Sequence, residues 1–88
     1  MNITPSHDHP LVEVAWWDAI DVLEWQDPST FTNKPILSWS VGYLVADDDV
    51  AITVVGLIND NHWTHGITIP RGMVDEIRYL KLKRSVNP

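Results

Sequence analysis

From Ser38 to Leu80 the chain is a succession of short stretches in which apolar and polar positions alternate. They read SWSVGYLVAD, VAITVVGLIN, THGITIP and VDEIRYL, separated by DDD, DNHW and PRG. In the first, Trp39, Val41, Tyr43 and Val45 fall on one face and Ser38, Ser40, Gly42 and Ala46 on the other. That period of two predicts a half-buried antiparallel strand with the Trp39 face inward. Leu44 is the one large apolar residue out of pattern. In the second stretch Val50, Ile52, Val54 and Ile58 share a face, yet Ala51, Val55 and Leu57 make the other face apolar too. A strand apolar on both sides has to be covered twice.

Upstream, Val12, Val14 and Trp16 alternate with Glu13 and Ala15, which predicts a first strand from about Leu11 to Trp17. Trp16, Ala19, Ile20 and Leu23 also have helical spacing, so a helical turn is expected over Asp18–Trp25. QDPSTFTNKP, from Gln26 to Pro35, is a loop by composition, with Trp25 and Phe31 as its anchors. Asp47-Asp48-Asp49 and Asn59-Asp60-Asn61 are tight turns. Pro70-Arg71-Gly72 breaks the ladder before a last element in which Ile77 and Tyr79 fit a strand, while Met73, Ile77 and Leu80 fit a helix face. Short strands with tight turns in so small a chain predict an all-β fold: a five-stranded, strongly bent antiparallel barrel spanning 11–84, with an inserted loop at about 20–37. Residues 1–10 read as a loose N-terminal arm.

Size sharpens this picture. With 88 residues there is room for one core. A domain of this size hides only about 60% of the surface its unfolded chain exposes. Self-association is a common remedy, and five Trp, two Tyr and one Phe supply rings for an interface. Val55, Leu57, Trp25 and Trp63 are the interface candidates. Charge argues against DNA and against general nucleic-acid binding, since the formal net charge is −6. Five of the six basic residues, however, lie at or after Arg71 (Arg71, Arg78, Lys81, Lys83 and Arg84), the sixth being Lys34. The absence of cysteine excludes a disulfide framework or a Cys-based zinc site. MNITPSHDHP lacks the charged start and apolar run of a secretory signal, and no window approaches the roughly 18 apolar residues of a membrane span. A soluble, cytoplasmic protein is expected.

At Gly42-x-Leu44 and Ile69-Pro70-Arg71-Gly72 the chain resembles the Sm-like (LSm and Hfq) superfamily. It is closer to small uncharacterised phage proteins reading V-x-W-x-D-A, then S-V-G-Y-L-V, then I-P-[RK]-G with a hydrophobic-basic end. Here those are Val14 to Ala19, Ser40 to Val45 and Ile69 to Gly72, with Ile77-Arg78-Tyr79-Leu80 following. The resemblance implies a bent five-stranded barrel that assembles into a homo-oligomeric ring through its edge strands. It also implies binding of single-stranded RNA near the pore, in the host cytoplasm if the chain is phage-encoded. Asp48 sits six residues after Gly42, where the first Sm motif has its Asp. The positions of the stacking ring and base-reading amide carry Val50, Ala51 and Ile52 instead. The second motif has an added Pro70 and one residue fewer after Gly72. Asp48, Arg71 and Gly72 are therefore the RNA-site residues the resemblance carries over, and they imply a role as an RNA-associated adaptor whose uracil pocket is altered. For Arg71 an ion pair with Asp75 or Glu76 is the favoured structural reading.

Other chemistry is thinly represented. His7-x-His9 and His62-x-x-His65 have spacings that can share a divalent ion, but the first pair lies in the arm and the second on a turn. Both are read as exposed and unliganded. Asp47–Asp49 lacks the glycine-bearing loop and closing Glu of a calcium site. There is no G-x-S-x-G elbow, phosphate loop or dinucleotide fingerprint. No enzyme, cofactor or metal is expected. The alternative to a ring is a monomeric protein- or peptide-binding, virion-associated barrel using Trp25, Phe31 and Trp63.

Overall fold

A computed structural model describes residues 7–81. Five strands and one short 3-10 turn account for its regular structure. They are β1 (Leu11–Asp18), β2 (Ile36–Asp47), β3 (Ala51–Asn59), β4 (His62–Pro70) and β5 (Val74–Tyr79), with the 3-10 turn Arg71–Met73 between the last two. All neighbours are antiparallel, in the order β4-β3-β2-β1-β5. Consecutive strands pair until β5, which returns beside β1. The final element is thus a strand, which decides between the two patterns its residues allow. No helical turn forms over Asp18–Trp25: β1 runs on to Asp18, and the only turn of the connecting loop lies at 28–30. The helical spacing of Trp16, Ala19, Ile20 and Leu23 had no packed surface to meet, because residues 19–36 are all exposed.

The sheet is all-β as expected, but it is not closed, since β4 and β5 do not pair with each other. It is nevertheless strongly curled. Val12, Val14 and Trp16 of β1, Leu44 of β2, Ile52 and Val54 of β3 and Ile69 of β4 form one buried cluster, with Met73, Val74 and Ile77 packed against it. In a flat sheet β4 and β5 would lie about 19 Å apart, four strand spacings. Breaks in register between Ala15 and Trp16 and between Leu44 and Ala46 supply the bends.

The inward face of β2 is the reverse of the predicted one. Opposite Val14 and Trp16 the register places Ser40 and Ser38, and Leu44 is buried while Trp39 is 62% exposed and Val41 59%. Two contacts account for this. The buried indole of Trp16 donates to the Ser40 hydroxyl at 3.0 Å, and a side chain at Gly42 would meet the Val55 carbonyl at 2.5 Å and a Val54 methyl at 2.7 Å. Small residues on β2 let β1 and β3 close over the core, and Leu44 fills the space beyond them. The residue that broke the alternation is the one that belongs inside.

Candidate functional site

The Asp-rich turn and the turn after β4 lie side by side, which makes neighbours of Asp48 and Arg71, and their groups are mostly engaged with one another. The Asp48 carboxylate accepts the backbone N–H groups of Val50 at 2.8 Å and Ala51 at 2.9 Å, which closes the β2–β3 turn. These two donors, that of Ala51 first, hold the carboxyl below the usual carboxylate range, and Arg71 adds a smaller pull. Arg71 donates through Nε to the Asp48 carbonyl at 3.1 Å and forms an ion pair through Nη2 with Asp47 Oδ1. Its backbone N–H donates to the Val50 carbonyl at 2.9 Å. The guanidinium is paired with Asp47 rather than with the expected Asp75 or Glu76, because the β3–β4 register sets Pro70 opposite Ala51 and so returns Arg71 beside the β2–β3 turn. Gly72 has open space where a side chain would stand. This clasp ties two turns and leaves Arg71 about two-fifths exposed.

The four interface candidates separate. Val55 is covered by its own chain, being 1% exposed, so it is not available to a partner. Its methyl lies where Gly66 has no side chain, and Tyr43 stands opposite it in the register. The segment before β1 completes the cover. His7 packs edge-on against Tyr43 of β2 with ring centroids 4.6 Å apart, and His9 against Trp63 of β4 at 5.9 Å. β3 and Val55 lie between those strands. Both faces of β3 around Val54 and Val55 are therefore buried without a second copy, contrary to the expectation from its double apolar pattern. Residues 7–10 also depart from the loose arm predicted for 1–10, since His7 and His9 are half-buried and the Pro10 carbonyl accepts the Leu44 N–H at 2.9 Å. Residues 1–6 lie outside the described ones.

Leu57 and Trp63 are about half exposed near the tip of the β3–β4 hairpin, where they line a hollow of about 210 Å³. His65 takes a left-handed backbone, φ 57°, opposite Gly56, where the pairing of β3 with β4 is interrupted. Trp25 stands wholly in solvent on the loop between β1 and β2. That loop is locally ordered. Asp27 accepts from the Ser29 N–H at 3.0 Å and the Ser29 hydroxyl at 2.8 Å, and its carbonyl accepts the Phe31 N–H at 2.9 Å. The Ser29 donors keep the Asp27 carboxyl below its ordinary range. Beside this turn Val22, Gln26, Pro28 and Phe31 enclose a hollow of about 250 Å³.

Among the described residues no three His, Asp or Glu side chains stand where they could share a metal ion, and no helix is long and apolar enough to cross a membrane. Exposed Trp39 and Val41 are the feature that alternation alone assigned to the wrong side. The signal that could have found them was the Ser38-Ser40-Gly42 series opposite a strand carrying Trp16. Comparison with known protein families, with curated proteins and with solved structures found no match to this chain.

Proposed function

We propose that this protein is a non-enzymatic building block that assembles with copies of itself into a closed ring, in the manner its Sm-like resemblance implies. The observation that carries the reading is the open sheet: β4 and β5 are its two edges, and neither pairs with the other. An edge strand presents unpaired N–H and C=O groups that template further pairing. The edges are different surfaces, so joining β4 of one copy to β5 of the next is a heterologous contact, which closes into a ring when the rotation between copies permits. The sheet's curl favours a closed circle over a flat ribbon, and the bent barrel of the Sm-like pattern is completed on this reading by neighbouring copies.

The ring acts as a scaffold rather than as an RNA clamp. Binding a single strand calls for positive charge and stacking faces. Asp47 neutralises Arg71, the Asp48 carboxylate is occupied by its own turn, and Asp49 stands beside them. Native mass spectrometry at micromolar concentration tests the assembly. A single discrete multimer is expected, and a strict monomer would sink the proposal. Filter binding of oligo-U and oligo-A across a salt series is expected to show no retention, and a measurable salt slope would restore the RNA-associated adaptor.

A further inference from the structure

We draw no further inference here: the strongest candidate, the exposed apolar patch that Trp39 and Val41 of β2 form with Trp17 of β1, together with Leu23 and Trp25 on the adjoining loop, carries nothing because nothing in the structure shows what covers it.

Discussion

Ser40 and Gly42 sit where an alternating pattern puts solvent, and the energetics of the two neighbouring strands explain why they are inside. The Trp16 ring is buried, and its N–H must find an acceptor there; Ser40 supplies it at 3.0 Å. Ser40→Ala keeps the size of the site but orphans the indole donor, so it is expected to cost about 1–3 kcal/mol in urea unfolding. Gly42 answers to distance rather than to backbone angle. A methyl there would press on the Val55 carbonyl at 2.5 Å, which is backbone and cannot swing away. Gly42→Ala is therefore expected to lower stability by about 1–3 kcal/mol, as overpacking does. Gly72→Ala is the contrasting case: nothing stands within 4 Å, so no comparable loss should appear. If Gly42→Ala unfolds at the wild-type urea midpoint, the close approach of β2 to β3 is not as described.

At the scale of elements, the clasp between the β2–β3 turn and the turn after β4 is where charge and fold meet. Asp48 is held below its ordinary range by two backbone N–H groups, so it binds its proton more readily unfolded than folded. Its contribution is fully present above the unfolded value of about 3.9 and is lost as pH falls through the lower folded value. Asp48→Ala should therefore destabilise the protein at pH 7, with the gap to wild type closing as the pH drops below about 4 in parallel urea titrations. A gap independent of pH would show that the turn is held by something other than the carboxylate. The turns themselves were legible in the sequence, because Asp runs and Pro-Arg-Gly have local reasons to turn. So were β1, β2 and β3, each placed within about two residues of where it lies, whereas the last element fitted a strand and a helix equally until its pairing with β1 was seen. Which side of β2 faces inward was not, since Trp39 and Val41 have the larger apolar surface and only the partner strand shows that small residues are needed opposite Trp16. Nor could the cover over Val55 be foreseen: it comes from Tyr43, Gly66 and a segment of His7 and His9 whose composition suggested no packing at all. The pairing of Arg71 with Asp47 follows from the register of β3 on β4, which sets Pro70 opposite Ala51 and which neither strand's own pattern states.

For the whole molecule the question is how so small a core stays folded. Among the described residues nine hydrophobic ones are buried, Val12 and Ile69 among them, while Leu23, Trp25, Trp39 and Val41 are among the large apolar side chains left in water. Burial of a large aliphatic or aromatic side chain stabilises by about 1.5–3 kcal/mol, and that gain must offset roughly 1–2 kcal/mol of backbone entropy for every ordered residue. On these magnitudes an isolated copy is marginal. If the edges are covered by other copies, assembly draws on the folded state and raises its apparent stability by mass action. The melting temperature is then expected to climb by several degrees between about 2 and 200 µM protein, read by circular dichroism at fixed pH and salt, because for a domain this size about 1 kcal/mol moves the midpoint by roughly 4–8 °C. A melting temperature that does not move with concentration would mean that one copy alone holds the fold, and that its exposed tryptophans serve a different partner.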